Sequence, residues 1–132
     1  MRVKKSLFSK VLQISRKKNT EAHPRWGTGK HHFSFIVQSN KLLSVGTNRD
    51  GQVYRGYPEF SLMHSENDAY RKAKGLLDHN KPFCIINVKM NKSGEIRYSK
   101  PCPCCCKFLS SVGCKQAFFT EEGKGFGKII IK

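Results

Sequence analysis

The chain has 132 residues and carries 25 Lys and Arg against 9 Asp and Glu, a formal charge of +16. The length suits one domain with little room for a second, and no apolar run approaches the roughly 18 residues that span a bilayer, so a soluble protein with no membrane partner is expected. The charges interleave with apolar runs, which excludes a disordered polycation; so large a basic excess points to a polyanionic partner or an acidic substrate, the bland alternative being a lysine-rich source lineage.

In chain order, residues 1–20 hold seven basic side chains and no acid, with Val3, Leu7, Phe8, Val11 and Leu12 at helical spacing. Three readings fit this basic amphipathic N-terminal helix or arm: a first helix packed on the domain, an arm that touches nucleic acid, or an organellar transit peptide. Residues Glu21–His32 read as loop around Trp26, with Arg25 and Lys30 beside it. Phe33–Val37 and Leu42–Val45 are short strands joined by a turn over Gln38–Lys41. Asn48–Phe60 is irregular, basic and aromatic, and includes Arg49 and Arg55.

A helix is expected over Leu62–Leu77, with Ala69, Ala73, Leu76 and Leu77 as its buried stripe. Phe83–Met90 is a strand rich in β-branched residues, Asn91–Gly94 a turn, and Glu95–Tyr98 can pair back as a hairpin. Pro101 suits the opening of a second helix, because its missing N–H is not needed there, and Gly113 ends it. Gln116–Thr120 and Lys128–Ile131 complete the strands. Their connection, Glu121–Gly127, is too short for a parallel crossover, which takes about a dozen residues or more, so the last two strands should be antiparallel.

Six cysteines in a short chain suggest a disulfide framework, but Cys102, Cys104, Cys105 and Cys106 are too close together to staple distant segments. They read better as metal ligands in an intracellular, reducing compartment. Two patterns then combine. His64-Ser65-Glu66 opens one expected helix and Pro101-Cys102-Pro103-Cys104-Cys105 opens the other, giving H-x-E followed by P-C-x-x-C. A catalytic zinc site takes three protein ligands and keeps a position for water. His64, Cys102 and Cys105 supply three, with Cys106 as a rival for Cys105. Glu66 is then near the metal without binding it, placed to carry a proton from water to a ring nitrogen. Cys104 and Cys106 otherwise read as small apolar filler, and Cys84 and Cys114 as structural thiols.

The paired motif is the signature of zinc nucleobase deaminases. From about Phe33 to Phe119 the chain resembles the cytidine deaminase-like superfamily. The resemblance implies one such domain over residues 1–132: an α/β fold, a three-layer α/β/α sandwich around a mixed five-stranded sheet. The short last connection fits the branch that ends in an antiparallel hairpin. It also implies zinc (Zn2+) as cofactor and Glu66 as the catalytic proton carrier. Ser44–Asn48 resembles the strand end where such enzymes place an asparagine against the substrate sugar, a role that falls on Asn48. Hairpin members act on free nucleosides and on polynucleotides alike. The charge and the loops carrying Arg25, Trp26, Lys30, Arg49 and Arg55 favour cytosine in single-stranded nucleic acid. The alternatives are a deaminase of free cytidine, deoxycytidine or dCMP, and a non-catalytic nucleic-acid-binding module with a structural zinc.

Overall fold

The computed structural model describes residues 3–20, 30–47, 65–91, 93–123 and 125–131. The first helix, α1 (Lys5–Thr20), buries Leu7, Val11, Ser15 and Asn19, one residue per turn, and leaves its lysines to water. Two long strands follow, β1 (Lys30–Gln38) and β2 (Lys41–Thr47). Ser39 and Asn40 join them with φ of 52° and 58°, the left-handed pair that lets a two-residue turn match the strand twist. β1 starts earlier than the sequence suggests: His31 and His32, expected in the preceding loop, pair with Met90 and Lys89 inside the sheet. Cross-strand hydrogen bonding extends the strand past its apolar core.

Helix α2 (Ser65–Ala73) ends before the expected Leu77, and Leu62–His64 lie outside the described residues. It ends in a turn ahead of Gly75, and Leu76, expected in the buried stripe, is 62% exposed while Leu77 is buried. After β3 (Cys84–Asn91), the two-residue strand β4 (Ile96–Arg97) pairs back on it. Helix α3 (Pro103–Ser111) leads to β5 (Gln116–Thr120) and β6 (Phe126–Ile130).

The sheet is mixed and has six strands rather than the expected five. Five follow the order β2-β1-β3-β5-β6, and β4 is the addition. β3 and β5 are parallel, with α3 in their crossover, and β5 and β6 are antiparallel. Side-chain alternation divides the strands between two cores. Phe33, Phe35, Val37, Ile86 and Val88 pack under α1. Ile36, Ile85 and Ala117 face the opposite way, against α2 and α3. That second core contains Tyr70, Phe83 and Phe108, with the Tyr70 and Phe108 rings edge to face at 5.7 Å.

Gly46 sets how closely α2 lies on the sheet. A Cβ there would fall into the backbone of Ser65 and Ala69, 2.8 Å from the Ala69 Cα. The bare backbone of β2 therefore seats the first turn of α2, where Glu66 is carried. No helix among the described residues is long and apolar enough to cross a membrane.

Candidate active site

Two helix starts converge on the face opposite α1. At α3, Cys102 is the N-cap and Pro103 follows as the first helical residue. This corrects the expectation that Pro101 opens the helix: Pro103 fills the position that needs no N–H donor, which frees Cys102 to cap. The Cys102 Sγ accepts the backbone N–H of Cys105 at 3.4 Å. The capping geometry thus brings the two sulfurs of the P-C-x-x-C pattern onto one side of the turn.

At α2, Glu66 is buried in the first turn, 5% exposed. The electrostatics join the two starts. The Cys105 thiol is pushed up by its hydrogen bond with Cys102, then by burial and by the adjacent Glu66 carboxylate. The Cys105 sulfur and the Glu66 carboxylate are therefore close together at the starts of two helices. Sulfur donors of this kind are ones that zinc takes. Among the described residues no group of three His, Cys, Asp or Glu side chains is arranged as a metal site, and His64, the remaining expected ligand, lies outside them.

Cys106, the rival for Cys105, directs its Sγ to the Pro101 carbonyl at 3.7 Å and packs against the α2–α3 core. Cys104 is exposed, which corrects the reading of it as buried filler; the first turn of α3 points that position to solvent. Cys84 and Cys114 are buried, and burial pushes both thiols up to about 12, as inert structural cysteines require. Of the expected substrate-contacting residues, Arg25, Trp26, Asn48, Arg49 and Arg55 lie outside the described residues, and for Lys30 only the backbone, in β1, is described.

Several residues that support the site carry no motif. Asn87 on β3 donates its amide to Glu66 Oε2 at 2.9 Å and to the Ser99 carbonyl at 3.2 Å. Ser65, between the expected ligand and Glu66, donates its hydroxyl to Glu66 Oε1 at 3.2 Å. Asp68, fully buried one turn along, accepts the Thr47 backbone N–H at 3.0 Å and pairs with Arg71 and Lys72. Burial alone would raise its pKa; the Thr47 amide and the two cations outweigh burial and hold it below the usual range. Asn67 is 1% exposed, and among the described residues neither of its amide atoms has a hydrogen-bond partner. The sequence signal for Asn87 was its polarity inside an otherwise apolar strand.

The arrangement of strands and helices is similar to that of several solved deaminases. A dCMP deaminase from the cyanophage S-TIM5, in its apo form, aligns with a TM-score of 0.60 and 14% identity over 93% of this chain and 89% of its own. Cytidine deaminase from Mycobacterium leprae aligns at 0.57 with 12% identity, over 89% of this chain and 88% of its own. Cytidine deaminase from Burkholderia pseudomallei also aligns at 0.57, with 13% identity over 92% of this chain and 91% of its own. At these identities the likeness is one of fold. No protein-family model matches the chain, and no curated protein matches it.

Proposed function

We propose that this chain is a zinc-dependent hydrolytic deaminase that converts cytosine to uracil. The observation that carries the reading is the meeting of Glu66 with Cys102 and Cys105 at two adjacent helix starts, within a fold similar to cytidine and dCMP deaminases. His64, Cys102 and Cys105 would hold the metal. When bound, zinc supplies a water that ionises near neutral pH, its pKa falling from about 15.7 to about 7.

The rest of the chemistry belongs to the chain. Hydrolytic deamination adds water at the amine-bearing ring carbon and expels ammonia. A proton must therefore leave the water, and protons must reach a ring nitrogen and the departing amine. Glu66 is buried, fixed by Asn87 and Ser65, and close to Cys105; in this reading its carboxylate accepts the proton and returns it. Asn48, the residue after β2 in sequence, would orient the substrate sugar.

The substrate we favour is cytosine in single-stranded nucleic acid. A charge of +16 gains little from a neutral nucleoside and much from a chain of phosphates. Arg25, Trp26, Lys30, Arg49 and Arg55 supply the cations and the stacking ring that such strands engage. A second reading, a deaminase of free cytidine or dCMP, is favoured by the fold likeness to enzymes of those names. The test is to incubate the purified, zinc-loaded chain with cytidine, dCMP, single-stranded DNA and single-stranded RNA and to assay uracil. Uracil confined to a polynucleotide supports the first substrate, and uracil confined to the small molecules supports the second. No product from any of the four contradicts the cytosine deaminase reading.

A further inference from the structure

Strand alternation directs Ile36 on β1 and Ile85 on β3 into the core beneath α2 and α3. Two residues along each strand, where alternation calls for another apolar side chain, stand Ser34 and Asn87. They are 0% and 2% exposed and are register partners across the β1–β3 ladder. A buried hydroxyl beside a buried amide costs stability unless both are hydrogen-bonded. The capacity of this amide is used on both sides. Asn87 Oδ1 accepts the Ser34 hydroxyl at 2.7 Å. Its Nδ2 donates one hydrogen to Glu66 Oε2 at 2.9 Å and the other to the Ser99 carbonyl at 3.2 Å. The amide's orientation is determined by this set, because the Ser99 carbonyl can only accept.

The two Nδ2 bonds end on different pieces of the candidate site. One holds the carboxylate of Glu66 on α2. The other holds Ser99, three residues before Cys102, in the segment that delivers the α3 cap. Ser99 is fastened to the same strand a second time, through its hydroxyl to the Asn87 carbonyl at 2.9 Å, and its Oγ lies 2.7 Å from Thr120 Oγ1 on β5. Ser34 secures the amide from the far side, and its Oγ is 2.7 Å from Ser65 Oγ, which in turn reaches Glu66 Oε1. Glu66 Oε2 is thus held from the sheet by Asn87, and Oε1 by Ser65 of its own helix.

We propose that Asn87 is the positioning residue of the site: its amide sets the place and orientation of the Glu66 carboxylate relative to the Cys102 segment, and Ser34 locks that amide. The assignment rests on the deaminase reading for its catalytic consequence and on the hydrogen-bond geometry for its structural one. A residue that only filled the core would be replaceable by an apolar side chain of similar size, and volume-conserving swaps are tolerated in cores. A positioning residue would not be.

The test is Asn87→Leu, with Ser34→Ala as a smaller perturbation of the same amide. Each variant is prepared with zinc, checked for folding by its thermal transition, and compared with wild type in two ways. With whichever cytosine substrate the wild type turns over, N87L is expected to lose at least about thirtyfold in kcat with KM within threefold, since proton transfer by a placed group contributes about 10²–10⁴-fold. S34A is expected to lose about five- to tenfold in kcat. Independently of turnover, crystal structures should show Glu66 in one rotamer in wild type and displaced or in several rotamers in N87L. A folded N87L whose Glu66 is unmoved, or whose kcat is within threefold of wild type, overturns the proposal. If N87L does not fold, S34A decides by the same readouts: a kcat within twofold of wild type, or an unmoved Glu66 where no substrate is turned over, overturns it. An inactive wild type would count against the deaminase reading alone, and the rotamer comparison would still decide the role of Asn87.

Discussion

The backbone amide of Thr47 donates to the Asp68 carboxylate at 3.0 Å, tying the end of β2 to the first turn of α2. The tie joins the strand end that precedes Asn48 to the helix that carries Glu66. Arg71 and Lys72 complete the charge balance from the solvent side at 2.8 and 3.2 Å.

This contact predicts an acid-sensitive contribution to stability. The folded-state pKa of Asp68 lies below its ordinary value. Its stabilisation is therefore complete above the unfolded pKa, about 3.9, and is lost as pH falls through the folded value. Asp68→Asn should cost about 1–2 kcal/mol at pH 7, a modest figure because both cations are partly solvated. The gap between the two proteins should close as the pH is lowered through the carboxylate range. Denaturant melts at several pH values check this, and a gap independent of pH would contradict it.

Gly46 predicts a steric effect at the same junction. A Cβ there meets the Ser65 and Ala69 backbone, which cannot rotate away as a side chain would. Gly46→Ala should destabilise the protein by at least about 2 kcal/mol, a fall of roughly 7 °C in Tm for a chain of this size. It should also impair activity by moving the start of α2. Calorimetry checks the first effect, and a variant as stable as wild type would show that the helix can shift freely.

Metal content separates the cysteines. Cys102→Ser and Cys105→Ser should each lose zinc, and Cys106→Ser should keep about one zinc per chain, because its sulfur points to the Pro101 carbonyl. Elemental analysis of the purified variants decides this. Loss of zinc in C106S with retention in C105S would reverse the assignment.

Substrate binding should be steeply salt-dependent. On a single strand log K falls against log[salt] with a slope of about −0.7 per phosphate contacted. Reversing Arg49 and Arg55 to Glu should flatten that slope and weaken oligonucleotide binding. Trp26→Ala should cost about 1–3 kcal/mol of it if the ring stacks on a base. Fluorescence titrations across a salt series provide the measurement, and an unchanged slope in the double reversal would remove those arginines from the interface.

What the sequence made legible follows from local chemistry. Short apolar runs on either side of the Gln38–Lys41 turn located the β1–β2 hairpin, and a short glycine-rich connection required β5 and β6 to be antiparallel. The motif residues Glu66, Cys102 and Cys105 stand out by residue type and spacing, and the fold brings the two helix starts that carry them together. The apparatus around them was not. Asn87, Ser34 and Ser99 act through pairing across strands and loops far apart in the chain, a relationship that no local window contains. Ser34 and Asn87 still left a trace: a polar residue between apolar neighbours, at a position the strand period assigns to the core; Ser99, in an irregular segment, left none. Pro101 misled because two prolines compete to open α3, and only the capping geometry of Cys102 decides for Pro103.

The central claim is that Glu66 carries the proton in a zinc-dependent deamination, and Glu66→Gln tests it most directly. Glutamine keeps the shape and can still accept the Asn87 hydrogen bond, but it cannot take up and return a proton. The variant should keep about one zinc per chain and lose about 10²–10⁴-fold or more in kcat on the substrate that wild type deaminates. A zinc-loaded variant within about tenfold of wild type would contradict the account.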